Sequence, residues 1–281
     1  MGWPIRTGAV GDRRRSSGVS QPELIASIAV DLLERANGAA NRHPWEVARL
    51  AAIARLVERT GAAGARVLDV GCGDGYVIRE LQQRFGFARA VGLDVNLTQS
   101  LRASLSSPAV QLVSELDVDP ANRFDLVLLL DVLEHVEAPE EFLGGVLRDR
   151  LEPGGAVVLT VPAFPALFSH HDRELRHLRR YRRTQLLRTA EGAGARVVAS
   201  GYFFASLLIL RAFAVFFERM GRPASGRVEE GSAGVGGWSR GAYSTRIVAA
   251  ALQADAGSCL AFARVGIRIP GLSAWAICRR P

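Results

Sequence analysis

The stretch Val67-Leu68-Asp69-Val70-Gly71-Cys72-Gly73-Asp74-Gly75 constrains this chain more than any other. An apolar, β-branched run passes through an acid and then turns through alternating glycines. From Tyr76 onward the apolar residues recur at helical spacing. This is the pattern of a buried parallel strand, a tight loop and a helix N-terminus. Alternating glycines allow positive φ and let a ligand lie against bare backbone. Free amides at the start of the following helix favour a negatively charged ligand group.

Alternating strand and helix patterns continue down the chain. Strands are expected at Arg66 to Val70, Arg89 to Asp94, Ala109 to Val113, Phe124 to Leu130, Ala156 to Val161 and Ala195 to Ser200, with a last one at Ser273 to Cys278. Helices are expected at Tyr76 to Phe85, Leu97 to Leu105, Pro139 to Arg150 and Thr184 to Glu191, with a turn at Pro153-Gly154-Gly155. Such alternation argues for an α/β fold, a doubly wound and mostly parallel sheet with helices on both faces. Ligands of such sheets bind beyond the carboxyl ends of the strands. Asp69, Asp94, Asp131 and Val161 fall at that edge.

The spacing G-x-G-x-G at Gly71, Gly73 and Gly75, with Asp69 before it and a second strand ending at Asp94, resembles the class I S-adenosylmethionine-dependent methyltransferases. The likeness to the fold core spans roughly Arg66 to Val161 and is looser at both ends. It implies a seven-stranded sheet whose last strand is antiparallel beside the sixth, with a helical cap inserted before it. It also implies S-adenosylmethionine as cofactor. Gly71, Cys72, Gly73 and Gly75 would cradle the cofactor's amino-acid end, and Asp69 would bind near the ammonium. Asp94 would hold the ribose, with Val95 beside it. The stretch Asp131-Val132-Leu133-Glu134-His135 matches an acid-x-x-Glu-His segment of the family, so Asp131, Val132 and Glu134 would line the methionine end. Glu115 and Asp117 occupy the place where the family often has an acid reaching the adenine amine.

A sulfonium methyl is already activated, so such an enzyme mainly has to align it with a nucleophile. Where the nucleophile must lose a proton, histidine is well matched to neutral pH. Three of the five histidines lie in Ser169-His170-His171-Asp172-Arg173-Glu174-Leu175-Arg176-His177, just past the fifth strand. His171 or His177 is the expected base, with Asp172 as support; a surface helix is the plainer reading. The arginines from Arg173 to Arg183 suit an anionic substrate group or anionic lipid. They lack interleaved aromatics apart from Tyr181, so nucleic acid is not expected.

The organisation follows. Residues 1–21 read as a disordered leader and 22–64 as N-terminal helices, Pro22 to Ala36 and Pro44 to Arg59. Residues 65–201 form the cofactor-binding core, 202–270 a helical cap insertion and 271–281 the last core strand. His43, Trp45 and Arg49 either face the pocket or merely pack and meet solvent. Tyr202 to Phe217 is almost wholly apolar but for Arg211 and is too short to span a membrane. It would line a hydrophobic substrate pocket, lie at a membrane interface, contact a second copy of the chain, or be buried within the cap. Gly221 to Gly237 reads as a loop; Tyr243 to Leu252 and Ser258 to Val265 read as two helices. The basic residues are all arginine, and the net charge is +7. The three cysteines, Cys72, Cys259 and Cys278, show neither metal spacing nor a disulfide framework, which suits a reducing cytoplasm. No metal is expected. The substrate expected is a small, partly hydrophobic metabolite methylated at O, N or C. Linked cyclisation and a membrane-peripheral protein without chemistry are the alternatives.

Overall fold

The computed structural model describes residues 42–116, 123–220 and 242–281. The expected leader at 1–21, the helix at 22–36, the loop at 221–237 and Asp117 lie outside the described residues.

Seven strands form one sheet: β1 (Arg66–Val70), β2 (Arg89–Leu93), β3 (Gln111–Val113), β4 (Phe124–Leu130), β5 (Leu151–Pro162), β6 (Arg196–Phe203) and β7 (Ser273–Arg279). Their order across the sheet is β3-β2-β1-β4-β5-β7-β6. The first five pair in parallel, and β7 runs antiparallel between β5 and β6. The strand order reverses between β1 and β4, which opens a crevice at their carboxyl ends.

The helices are α1 (Pro44–Glu58), α2 (Tyr76–Phe85), α3 (Gln99–Leu105), α4 (Pro139–Arg150), α5 (His170–Glu174), α6 (Arg183–Gly192), α7 (Ala205–Arg219) and α8 (Ala242–Arg264). They cover both faces of the sheet, and the strand residues alternate between two cores. Val67, Leu126, Leu128 and Val158 join Ile53, Leu56, Ile78 and Leu260 on one face. Leu68, Val127, Leu129 and Val157 join Leu143, Leu147 and Leu186 on the other. This double coverage explains why β4 reads as an almost unbroken apolar run.

Several boundaries differ from expectation. Strand β5 begins at Leu151, not Ala156, because the expected turn at 153–155 is absorbed into the ladder. Gly154 N–H donates to the Arg280 carbonyl, and Arg280 N–H to the Gly155 carbonyl, both at 3.0 Å. Strand β6 takes Tyr202 and Phe203 from the apolar stretch, since both pair with β7. The chain then turns at Phe204, whose φ is 68°. Strand β3 is shorter than expected, because Ser107 and Val110 close a small bridge just before it. Helix α3 starts at Gln99, capped by the Thr98 side chain, which accepts from Leu101 N–H.

The two helices expected between Tyr243 and Val265 are one, α8. The polar, glycine-containing stretch between them is the surface of close approach to neighbours. Gly257 lies against the Arg55 guanidinium of α1, which a side chain there would have to displace. Asp255 accepts hydrogen bonds from Ala205 N–H at 3.2 Å and Ser206 N–H at 3.0 Å, so it caps α7 from a different helix. The expected insertion at 202–270 therefore divides. Helix α8 packs along α1 and β6 in the layer on the sheet. Helix α7 crosses the active edge, where Arg211 reaches Asp172 and Arg219 reaches the Ala166 carbonyl.

Capping by Asp255 is a borrowed N-cap, and N-cap loss costs about 1–2 kcal/mol. Asp255→Ala is expected to destabilise α7 by that amount, with little change in the sheet. Hydrogen exchange should show faster exchange of amides early in α7; uniform protection in both proteins would refute the cap.

Candidate active site

The loop after β1 is built on left-handed backbone. Gly71, Gly73 and Gly75 have φ of 75°, 55° and 74°. A side chain at Gly71 would also meet Val132 Cγ2 at 2.8 Å, and one at Gly75 would meet Leu112 Cδ2 at 2.9 Å. Only glycine fits both the angle and the space. The loop is pinned to β2. Gly71 N–H donates to the Leu93 carbonyl at 2.7 Å, and Gly73 N–H to Asp94 Oδ2 at 3.0 Å. Asp94 Oδ1 accepts from Asn96 N–H at 2.9 Å and from its side-chain amide at 3.0 Å. Asp94 thus stands at the tip of β2 with its carboxylate fixed. Beside it, Val95 exposes 65% of its surface, an apolar face left open at the site.

Asp69 is buried. Burial pushes its carboxyl up to about 7; Arg49 opposes this, while Asp94 and Asp74 add to it. Cys72 is buried, and burial raises its thiol above the ordinary range, so it is no nucleophile at neutral pH.

Two arginines close the loop from the side: Arg42, which no spacing marked, and Arg49, expected either to face the pocket or to meet solvent. Arg42 pairs with Asp74 and lies 4.0 Å over the Tyr76 ring. Asp74 Oδ1 also accepts from Tyr76 N–H at 3.0 Å, capping the turn into α2. Arg49 of α1 pairs with Asp131 at 2.6 Å. Of the three N-terminal residues considered for the pocket, Arg49 reaches it. Trp45 packs on the core, and His43 accepts from Trp45 N–H at the start of α1.

Asp131 ends β4 in a left-handed conformation, φ 60°, rare for a residue with a side chain. Its Oδ1 accepts from the buried Thr160 hydroxyl at 3.0 Å, a partner on β5 that no motif marked. The turn Leu133–His135 follows. Glu134 is fully buried, and burial, with Asp131 nearby, raises its carboxyl well above the ordinary range. Glu115 is exposed, two residues past the carboxyl end of β3, and Asp94 N–H donates to the Val113 carbonyl of that strand at 3.0 Å.

The segment after β5 is organised by Asp172. This buried carboxylate accepts from Ser169 N–H at 3.0 Å, from Arg180 Nε at 2.7 Å and from Arg211 at 3.2 Å, and it meets His177 Nδ1 at 3.0 Å. Burial would push it up, but His177 and Arg180 hold it well below the usual carboxylate range. An ionised carboxylate only accepts, so His177 Nδ1 carries the hydrogen. His177 and Asp172 are therefore together as expected. His171 is half exposed and meets Glu174 instead, at 3.8 Å. Its imidazole is lowered, first by burial and then by Arg211.

The raised Asp69 has a consequence for stability. The folded chain holds this proton up to about pH 7, whereas the unfolded chain releases it near the ordinary value of 3.8. Between those values the folded state binds more protons, so this contribution is full below about pH 4 and lost as pH rises through 7. Asp69→Asn is expected to remove that slope, at most on the order of 4 kcal/mol. Urea unfolding of both proteins across that range measures it; identical slopes would show that Asp69 ionises normally.

A family model described as a methyltransferase domain matches residues 45–200. A ubiquinone biosynthesis O-methyltransferase of Xanthomonas axonopodis pv. citri (strain 306) is 36% identical over 118 residues, which are 40% of this chain and 49% of that protein. The same-named protein of Rhodopseudomonas palustris (strain BisB5) is 35% identical over 88 residues, 29% of this chain and 34% of that one. The chain thus spans half or less of the length of these curated relatives. Among solved structures, the [4+2]-cyclase SpnF superposes with a TM-score of 0.53 at 19% identity, covering 93% of this chain and 95% of that one. A phosphoethanolamine N-methyltransferase 2 of Haemonchus contortus, in complex with S-adenosyl-L-methionine, gives 0.52 at 18%, covering 92% and 57%. At these identities the two structures speak to the fold alone. With more than half of its length matched by the family model, the chain belongs to the methyltransferase-domain family of class I S-adenosylmethionine-dependent methyltransferases.

Proposed function

We propose that the chain transfers a methyl group from S-adenosylmethionine to a small, partly hydrophobic metabolite. The observation that carries this reading is the pinned glycine loop with Asp94 at its side. Three left-handed glycines present bare backbone, and a fixed carboxylate stands at the tip of the next strand. That pair suits a nucleoside cofactor with an amino-acid tail. When bound, the cofactor supplies an electrophilic methyl on a sulfonium.

The residues present fit such a group. Asp94 has acceptor capacity left for ribose hydroxyls, since a carboxylate offers about four lone-pair sites. Val95 offers an exposed apolar surface to the base. Asp69 and Asp131 would stand toward the methionine end, where an ammonium group would favour the ionised form of Asp69. A Cβ at Gly71 or Gly75 would meet Val132 or Leu112, so the loop offers a ligand its bare backbone surface.

On the acceptor side, the substrate's character is read from the segment after β5 and from α7. Helix α7 exposes Ile209, Leu210, Phe213 and Phe216, and among its residues only Val215 is buried. The expectation of a buried cap helix does not hold for this face. An apolar substrate body, such as an isoprenoid or polyketide, suits it, with an anionic group toward the arginines. The same face would serve a membrane surface or a second copy of the chain. None of the described helices is long and apolar enough to cross a membrane. The similarity to ubiquinone biosynthesis O-methyltransferases favours O-methylation. His177, held at Nδ1 by Asp172, keeps a lone pair at Nε2 for proton uptake from an acceptor hydroxyl.

Asp94→Ala tests the cofactor site. Removing an ionised acceptor of two hydrogen bonds costs at least about 1.5 kcal/mol, more than tenfold in affinity. Calorimetric titration with S-adenosylmethionine is expected to show that loss, with the fold retained by circular dichroism. Unchanged affinity would remove Asp94 from the site, and products without an added methyl would point to a linked cyclisation instead.

A further inference from the structure

The turn Leu133–His135 and the segment after α5 are fastened together. Leu178 N–H donates to the Glu134 carbonyl at 2.8 Å, Tyr181 Oη to the Leu133 carbonyl at 3.0 Å, and Arg179 to the Glu137 carbonyl at 3.1 Å. The fastening sets three side chains face to face. Glu134, His135 and His177 each offer one ligand atom, and these atoms lie within 4.8 Å of one another. The two imidazoles meet edge to face, with centroids 4.8 Å apart.

Two further observations point to a cation. Neither carboxylate oxygen of the fully buried Glu134 has a hydrogen-bond partner among the described residues. Burial of a carboxylate is costly unless it is paired or ligates a metal. Second, His177 Nδ1–H donates to the ionised Asp172, which leaves Nε2 as its lone pair. A carboxylate behind an imidazole is the usual way a metal-binding histidine is held in its tautomer and orientation. Asp172 is itself fixed by Arg180 and Arg211, so the imidazole has little freedom.

We propose that Glu134, His135 and His177 bind a divalent transition-metal ion, with Asp172 orienting His177 from behind. Two imidazoles and one carboxylate suit zinc or cobalt, whereas magnesium and calcium prefer oxygen throughout. Bonds of about 2.0–2.2 Å to one ion place ligand atoms roughly 3.5 Å apart, so the side chains need close by only about an ångström. Three protein ligands leave a coordination position open for water or an oxygen donor. The ion and a transferred proton would compete for the same lone pair of His177, so metal binding excludes a base role there while the ion is held. The ligands come from two distant segments, which is why no spacing in the sequence announces them.

The test uses the full chain without an affinity tag, stripped by chelator and titrated with Zn²⁺ and with Co²⁺. It stands apart from methyl transfer, since it reads binding and not turnover. The expected result is one ion per chain and a visible d–d band for Co²⁺. Glu134→Gln and His177→Ala are each expected to lower affinity at least about tenfold. His170→Ala, on an exposed neighbour, is expected to change nothing. His135 is exposed, so His135→Ala provides a ligand variant whose melt should match the parent if a buried variant fails to fold. No ion bound by the parent chain, equal affinity in all the folded ligand variants, or an equal loss in His170→Ala would overturn the proposal.

Discussion

The structure hangs on a backbone conformation that side chains cannot adopt. At the point where the strand order reverses, the chain must leave β1, clear Val132 and Leu112, and enter α2 within a few residues. Left-handed φ at Gly71 and Gly75 allows this, and any Cβ there would collide. The conformation is locked from β2, by the Leu93 carbonyl and by Asp94. Asp94 therefore has two tasks. It shapes the loop through Gly73 N–H, and it keeps acceptor capacity for a ligand. The loop's shape and its chemistry share one carboxylate.

A second carboxylate does comparable work on the other bank of the crevice. Asp172 gathers Ser169, His177, Arg180 and Arg211, which come from α5, the segment after it and α7. Burial alone would make this acid neutral; its partners keep it ionised. Losing one partner would leave charge exposed to a poor dielectric, so the four contacts depend on each other. This coupling explains how a helix with so apolar an outer face stays across the active edge. Polar contacts underneath hold α7 where it contributes little to the core.

Much of the sheet was legible because strand and helix periodicities differ and the strands are covered on both faces. The glycine loop after β1 was legible because its glycines answer a local backbone demand. What stayed hidden depends on partners distant in sequence. No spacing pairs Arg42 with Asp74, and only the packed chain decides between pocket and solvent for Arg49, which meets Asp131. The break expected between Leu252 and Ser258 is one continuous helix. Asp255 caps α7 and Gly257 meets Arg55 of α1, so both residues serve neighbouring helices. Glu134 was legible as a motif position but not as an unpaired buried acid, since burial is a property of the packed chain.

The distribution of charge ties these pieces together. The chain is net basic, yet its crevice gathers Asp69, Asp74, Asp94, Asp131 and Glu134. Arg42 and Arg49 neutralise Asp74 and Asp131. Asp69 and Glu134 are left with burial as their dominant influence, and both hold protons more tightly for it. Mutual repulsion among acids in a poor dielectric is unfavourable, and cations from outside relieve it. A sulfonium nucleoside with an ammonium tail would relieve the Asp69 side. A metal ion would relieve Glu134. The crevice is therefore electrostatically incomplete at two separate places, and each is matched by a different kind of positive charge.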